Sequence, residues 1–370
     1  MAKRKNKNKE GNHKKKQKLN PKEKGQEVEI PEVFANPKYD VTFKMLFGSD
    51  QNKDILISLL NSLLGFEGDK EIIEVEINSN ELPVSVFSRD KKLSGVTSSV
   101  DVLCTNAGKQ KIAIEMQGQK TKYFLAREQE YMAKLIAGQV KEGEGKKYHE
   151  KVLETYIIVI GKDNIFVGST ALKDQKLFEI DVVPTVVQTG DVFPGNKMYW
   201  KFFELLKFAE SESYKNIDKA SSIKEQWLEF LLDCSKQQEK PDRSEIIKKG
   251  YGIMEVAKWD EDKQALYWKE KAEEQDFLRS QEEIKKEEFA RGEIKGRIKG
   301  EVETVKKLLQ MEMDYKVILG VVDFLKQKGE EQALKNITYI QDHIDDSEED
   351  IYASLGLLGD SGDVVDFMQS

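Results

Sequence analysis

Two short apolar segments, joined by a loop that contains a glycine, constrain the fold more than any other feature of the chain. Residues 100–105 and 111–117 are rich in apolar and β-branched side chains, and Asn106-Ala107-Gly108 lies between them. Segments of this kind, bounded by a turn signal, predict a β-hairpin. A three-residue loop of this type needs its third residue in the left-handed conformation, so we expect Gly108 to adopt it.

Three polar side chains of this hairpin are predicted to lie on one face. A loop with an odd number of residues pairs odd-numbered positions of the two strands with each other, and side chains alternate along a strand with a period of two. Asp101, Glu115 and Gln117 would therefore point to the same side of the sheet. The apolar residues that flank them indicate that the strands themselves are buried.

Two carboxylates that face the same way on adjacent strands form a candidate site for a hard cation. Mg²⁺ prefers one or two carboxylates together with waters and phosphate oxygens. Asp101 and Glu115 could supply these carboxylates, and a carboxylate in a buried strand needs a partner such as a cation. The alternative is that both acids are solvated outward-facing residues, as we expect for Glu74 and Glu76. The residues alone leave both interpretations open.

A helix is predicted to follow the hairpin over residues 122–140. Arg127 and Tyr131 lie one turn apart and so share a face of this helix, and Lys120 stands just before it. A basic helix beside a cation site would suit a phosphodiester substrate, so these three residues are candidates for substrate binding. The alternative is a solvated face of mixed charge, which we favour for the lysines.

The order of helix and strand signals predicts an α/β fold for the first part of the chain. Helical spacing over residues 39–64, with a break at Gly48-Ser49, precedes a strand signal at 72–77. A second, buried strand is predicted at 153–160, after the helix that follows the hairpin. Strand, helix and strand in succession favour a sheet with helices packed on it.

Composition divides the chain further. Residues 1–24 carry eleven Lys or Arg and two Glu, a local balance of +9, so the overall net charge of −8 leaves −17 for the remainder. We expect a disordered basic arm over residues 1–30, which serves as a solubilising tail or as a non-specific nucleic-acid arm. The other predicted segments are the α/β domain at 31–210, a charged helical region at 211–310 and a short helical and acidic segment of unassigned role at 311–370.

The composition also excludes several classes of protein. Two cysteines cannot form the disulfide framework of a small secreted scaffold. No apolar run approaches the roughly 20 residues that span a bilayer, and the basic start is not followed by the apolar stretch of a secretory signal. We therefore expect a cytoplasmic protein without a membrane partner.

The charged helical region has two further features. Trp227, Leu228 and Leu231 lie on one side of a predicted helix. Either these residues or the glycine-spaced helix at 292–300 could pair two chains, which suggests a homo-oligomer formed through the C-terminal half. Glycines recur every four residues at positions 292, 296 and 300. Each costs a helix about 1 kcal/mol relative to alanine, so we expect a weak helix there unless it packs closely on a neighbour.

Five segments in a fixed order carry a resemblance to a known family. They are Asp40-Val-Thr-Phe-Lys-Met-Leu-Phe-Gly48, the hairpin pair Ser99-Val-Asp-Val and Ile114-Glu-Met-Gln117, Arg127 with Tyr131 and Gln139, Phe203-Glu-Leu-Leu-Lys-Phe208, and the glycine-spaced helix at 292–300. Over roughly residues 36–300 the chain resembles the recombination-promoting nuclease and transposase family, a branch of the PD-(D/E)XK nuclease superfamily.

The resemblance implies a fold, a cofactor and a substrate. The fold would be a PD-(D/E)XK restriction-endonuclease-like α/β core, a central mixed sheet flanked by helices, followed by the charged helical region. The activity would be cleavage of DNA with Mg²⁺ or Mn²⁺. By motif, Asp101 and Glu115 would be the metal-binding acids and Gln117 would stand where the superfamily usually has a lysine. Asp40 would be an additional acid on the first helix.

Three functions remain open at this point. The first is a metal-dependent DNA endonuclease that acts in recombination or transposition, and the presence of both acids favours it. The second is a nuclease fold with weak or lost chemistry that binds DNA or a protein. The third is a helical interaction protein. The acidity of the chain outside the arm counts against tight DNA binding, because phosphate contacts dominate affinity for DNA. We rank the endonuclease first.

Overall fold

The computed structural model of the chain describes residues 32–82, 98–118, 123–139, 150, 152–167, 169, 176–323, 325–326 and 329–355. The chain divides into two compact units, residues 1–264 and residues 265–370. The predicted basic arm lies outside the described residues.

Within the described residues, six strands of the first unit form one mixed sheet in the order β1-β2-β3-β4-β6-β5. The strands are β1 (Val75–Ile77), β2 (Val102–Asn106), β3 (Lys111–Gln117), β4 (Thr155–Gly161), β5 (Glu179–Val182) and β6 (Met198–Glu204). Strands β3, β4 and β6 run parallel, whereas β1, β2 and β5 pair antiparallel to their neighbours. The predicted mixed sheet flanked by helices is therefore confirmed.

The β2–β3 hairpin has the predicted parity but a different turn. Thr105 pairs with Lys111, so odd positions do face odd positions. The Asn106 amide donates to the Gln110 carbonyl, which extends the ladder by one pair beyond the prediction. The left-handed residue is consequently Lys109, with φ 63°. The prediction for Gly108 was wrong because the loop lies one residue further along the chain, although the odd–odd parity that fixes the faces is unaffected.

Within the described residues, the helices of the first unit include those predicted at 39–64 and, two to three residues shorter at each end, at 122–140. They are α1 (Asp40–Phe47), α2 (Lys53–Leu64), α3 (Phe124–Ala137), α4 (Leu205–Ala209), α5 (Glu212–Lys215), α6 (Ile223–Asp233) and α7 (Glu245–Met254). Helix α1 ends before Gly48, as expected. Helix α2 ends at Gly65, whose φ of 66° is a conformation that glycine adopts without steric cost.

One hydrophobic cluster joins α3 to the sheet and thereby positions the candidate site. On the α3 side of the sheet, Leu103, Ala113 and Val159 pack with Tyr131 and Leu135 of the helix, and all five are buried. Each fully buried aliphatic side chain contributes roughly 1.5–3 kcal/mol. This packing holds α3 across the hairpin, so that polar residues at the end of β3 meet polar residues at the start of α3.

The apolar face of α6 is buried inside the first unit. Trp227, Leu228 and Leu231 are fully buried, and the Trp227 indole donates to the hydroxyl of Ser58 on α2 at 3.0 Å. The proposal that these three residues pair two chains is therefore wrong, because α2 and α7, together with Phe47 of α1, already pack against this helix. For the same reason the compact unit extends to residue 264 rather than to the composition boundary at 210.

The second unit is helical within its described residues. Its helices are α8 (Glu261–Gln310), which begins just before the unit, α9 (Tyr315–Leu319), α10 (Glu330–Asp342) and α11 (Glu348–Ser354). Ile298, Val302 and Val305 of α8 pack with Ile318 and Ile337 in a buried cluster. The glycines at 292, 296 and 300 lie within α8. A Cβ atom added at any of them would contact no described atom within 4 Å apart from the neighbouring backbone of the helix itself. Among the described residues, no helix is long and apolar enough to cross a bilayer.

Candidate active site

The two predicted metal-binding acids meet at the start of β2 and in β3. Val102 pairs with Ile114, so Asp101, one residue before β2, lies opposite Glu115. The two carboxyl groups lie within hydrogen-bonding reach of each other, and Asp101 Oδ2 accepts a hydrogen bond from the Met116 amide at 2.6 Å. The hairpin register therefore brings the two acids side by side.

A pair of carboxyl groups side by side cannot readily carry two negative charges in a buried setting. The Glu115 side chain is only 7% exposed. Burial, followed by repulsion from Asp101 and then from Glu128, raises the pKa of Glu115 to about 9, and Arg127 opposes the rise. Burial is also the largest cause that raises the pKa of Asp101, while the hydrogen bond from the Met116 amide lowers it. Without a cation, the pair holds a proton at neutral pH.

Gln117 and Arg127 lie next to this pair. The Arg127 guanidinium donates through Nη2 to Gln117 Oε1 at 2.7 Å. Its carbon lies 5.2 Å from the centre of the Phe124 ring and 5.7 Å from that of Tyr131. The predicted shared face of Arg127 and Tyr131 is thus present. Tyr131 itself is buried beneath the guanidinium, so its ring supports Arg127, and a direct role in substrate binding stays a prediction.

Sequence reasoning missed Glu128. This residue follows Arg127 on α3, its side chain is 1% exposed, and neither of its carboxylate oxygens has a hydrogen-bond partner among the described residues. Arg127 Nε lies 3.9 Å from Glu128 Oε1. Burial raises the pKa of Glu128 to about 7; Arg127 opposes the rise and the charge of Asp101 adds to it. In the sequence, one glutamate among several on a charged helix gives no signal of burial.

Asp40 acts on the pair through its charge. It begins α1 and forms an ion pair with Lys44, whose Nζ lies 2.6 Å from Asp40 Oδ1. The charge of Asp40 raises the pKa of Asp101 and the charge of Lys44 lowers it, after the larger effects of burial and hydrogen bonding. Lys44 and Asp101 both line a cleft of about 250 Å³. The Asp40 side chain is half-exposed, and its role as an additional acid stays a prediction.

Besides Arg127, a second basic residue lies close to Gln117, and sequence reasoning missed it. Lys162 follows β4, and its amide donates to the Gln117 carbonyl at 3.0 Å. Its ammonium lies 5.1 Å from the centre of the Tyr39 ring, next to the start of α1. Because β3 and β4 are parallel, their carboxyl ends bring Lys162 beside Gln117. Lys120, the third predicted substrate-binding residue, lies outside the described residues.

A buried ion pair holds the loop that carries Lys162. Glu204, at the end of β6, is fully buried and accepts hydrogen bonds from the amides of Ile165 and Phe166. Its Oε2 lies 2.6 Å from Lys207 Nζ. These residues belong to the segment Phe203-Glu-Leu-Leu-Lys-Phe208, one of the five that carry the family resemblance. The segment therefore supports the loop beside the site without contacting the two acids.

This geometry agrees with a comparison against protein families. The family model of the PD-(D/E)XK nuclease family transposases matches residues 37–284, two thirds of the chain. The chain belongs to this family. Searches of curated proteins and of solved structures found no significant match. The match confirms the family resemblance that the motifs predicted, whereas the roles of the individual site residues stay predictions.

PD-(D/E)XK nucleases generally use divalent metal ions, and the donors in this chain fit one. Among the described residues, no three acidic, histidine or cysteine side chains converge on one point at the distance of direct coordination. Two carboxyl groups side by side, with the unbonded carboxylate of Glu128 close by, nevertheless match a cation that retains part of its hydration shell. Mg²⁺ binds in this way, through one or two carboxylates and several waters. Asp101 and Glu115 would hold it.

Proposed function

We propose that this protein is a divalent-metal-dependent endonuclease that hydrolyses phosphodiester bonds of DNA in recombination or transposition. One observation carries the proposal: Asp101 and Glu115 lie opposite each other across the β2–β3 hairpin, with Gln117 held beside them by Arg127. Such a pair is unfavourable as a purely structural element, because burial opposes its ionisation. A bound cation removes that cost.

The two acids and the cation would have separate tasks. Asp101 and Glu115 bind Mg²⁺ or Mn²⁺, and the Met116 amide keeps the Asp101 carboxylate in one orientation. When bound, the cation would lower the pKa of a nearby water and offset negative charge on the phosphate. Because the shared proton must leave before the cation binds, we expect metal binding to release protons and to weaken at low pH.

Gln117 and Arg127 would act on the attacking water and on the phosphate. The Gln117 side chain is fixed through its Oε1, which accepts from Arg127, and its amide nitrogen is a donor suited to orient water. Glutamine lacks the positive charge of the lysine that usually stands at this position in the superfamily. Arg127 supplies a charge within one hydrogen bond of it, and a guanidinium is suited to hold two phosphate oxygens.

The direct test is cleavage of supercoiled plasmid with Mg²⁺ or Mn²⁺, with and without EDTA, by wild type and Asp101→Asn. Asparagine retains an oxygen that accepts from the Met116 amide but loses the charge. We expect metal-dependent nicked or linear product from wild type and none above background from the variant. Asp69→Asn, an exposed substitution in the same unit, is the matched control and should cut normally. Cleavage that survives in Asp101→Asn would refute the proposed site.

The second candidate is a nuclease fold that binds DNA or a protein without efficient cleavage. The substitution of glutamine for the usual lysine at residue 117 favours it, because that change removes a positive charge from the reacting centre. A gel-shift experiment with the same plasmid separates the two candidates. Wild-type protein that retards DNA but yields no product with either metal would make the binding module the better description.

A further inference from the structure

The carboxylate of Glu128 lacks the partners that a buried charge needs. Its side chain is 1% exposed, and neither Oε1 nor Oε2 accepts a hydrogen bond from any residue that the structure describes. The cation at the shortest recorded distance is Arg127 Nε, 3.9 Å from Oε1, and the Arg127 guanidinium also donates to Gln117. Buried carboxylates in folded proteins are normally paired, hydrogen-bonded or bound to a metal.

Glu204 shows how the same fold treats a buried glutamate with a structural role. It is fully buried, it accepts hydrogen bonds from two backbone amides, and Lys207 lies 2.6 Å from its Oε2. Among the described residues, Glu128 has none of these contacts. Its carboxylate is therefore available to a partner outside that part of the chain.

The surroundings of Glu128 show where that partner would lie. Glu128 lies one turn before Tyr131, on the helix that packs against the hairpin, and the guanidinium beside its Oε1 also donates to Gln117, two residues after Glu115 on β3. The mutual effects of Asp101, Glu115 and Glu128 on their pKa values agree with this placement. The backbone of Glu128 is held in place, because its carbonyl accepts from the Trp200 indole at 3.3 Å. A third acid on a fixed backbone therefore accompanies the pair on the hairpin.

We propose that Glu128 is a positioning residue of the cation site, whose carboxylate accepts hydrogen bonds from the hydration waters of the cation held by Asp101 and Glu115. This inference rests on the proposed metal-dependent function. It explains why three acids lie close together without forming a direct three-residue ligand set. Mg²⁺ keeps several waters when it binds to proteins, and those waters need acceptors in a buried site.

The test measures cation affinity and stability separately in the full chain. Isothermal titration calorimetry with Mg²⁺ and with Mn²⁺ compares wild type, Glu128→Gln and Glu130→Gln. Glu130 lies on the same helix with its side chain half-exposed and paired with Lys134, so its variant is a charge-matched control. We expect Glu128→Gln to weaken binding of both cations by about 10–100-fold, the usual effect of losing an outer partner of a metal site. Glu130→Gln should bind as wild type does.

Thermal unfolding in EDTA gives the second readout. Glu128→Gln should unfold at a higher temperature than wild type, because it removes a charge without a hydrogen-bond partner from the three-carboxyl cluster. Weaker cation binding together with higher metal-free stability is not expected of a residue that merely supports the fold. Wild-type cation affinity in Glu128→Gln, or a lower unfolding temperature in EDTA, would overturn the inference. If wild type binds neither cation, the proposed metal-dependent function itself fails.

Discussion

Replacing Glu115 with glutamine should remove most of the pH dependence of stability that the acid pair creates in the metal-free protein. The pKa of Glu115 rises from an ordinary 4.5 to about 9, mainly through burial and then through the charge of Asp101. Between these two values the folded chain holds a proton that the unfolded chain has released. The folded state is therefore destabilised as pH rises across this window, and the loss is complete above the folded-state pKa.

The magnitude follows from the number of protons involved. A difference of one proton changes the free energy of unfolding by about 1.4 kcal/mol per pH unit, so wild type should lose about 3 kcal/mol between roughly pH 6 and pH 8. Glu128, with its pKa of about 7, adds to this slope in the lower half of the range. Glutamine at residue 115 cannot ionise, and its amide can donate to Asp101 as the protonated acid does.

The measurement is urea unfolding of the first unit in EDTA at several pH values, followed by tryptophan fluorescence, since Trp227 is fully buried there. Wild type and Glu115→Gln should diverge as pH rises, with the variant more stable at the alkaline end. Glu76→Gln, at an exposed position on β1, should follow wild type. Mg²⁺ should flatten the wild-type profile because a cation replaces the proton. Parallel profiles for wild type and Glu115→Gln in EDTA would refute the reasoning.

Three other substitutions or deletions give separate predictions. Arg127→Lys should lower the rate of plasmid cleavage by about 10–100-fold, because lysine cannot hold Gln117 and two phosphate oxygens with one planar group as arginine does; an unchanged cleavage rate would contradict this role. Glu204→Gln should destabilise the first unit by about 3–5 kcal/mol in urea unfolding, because Lys207 would be left as a buried charge without its partner. Deleting residues 1–24, which carry +9, should weaken DNA binding and reduce the slope of log affinity against log salt concentration. An unchanged slope in a filter-binding or anisotropy assay would show that the arm makes no phosphate contacts.

Much of the fold could be predicted from local patterns. Alternation along the segments at 100–105 and 111–117 was enough to place Asp101, Glu115 and Gln117 on one face, because parity survives a shift of the loop by one residue. That shift itself could not be predicted, since it depends on whether Asn106 and Gln110 add a pair to the ladder. Lys109 accepts a left-handed conformation as the consequence.

The candidate site was predictable only where its residues lie close together along the chain or share one hairpin. Glu128 and Lys162 were missed, because one becomes buried when α3 packs on the sheet and the other reaches Gln117 through the parallel pairing of β3 and β4. The prediction that Trp227 helps to pair two chains was wrong for the same reason, since its burial depends on tertiary packing. An apolar helix face predicts burial, but it does not specify whether the surface that covers it belongs to the same chain.

The sequence by itself determined the hairpin parity, the helix ends at Gly48 and Gly65 and the family, since each depends on spacing along the chain. Only the tertiary structure decided which charged side chains are desolvated. The difference in solvation between Glu128 and Glu130, two residues apart on one helix, arises from packing against strands that are distant in sequence. The cost of burying a charge depends on every neighbour in three dimensions, and the chemistry proposed for this site depends on that cost.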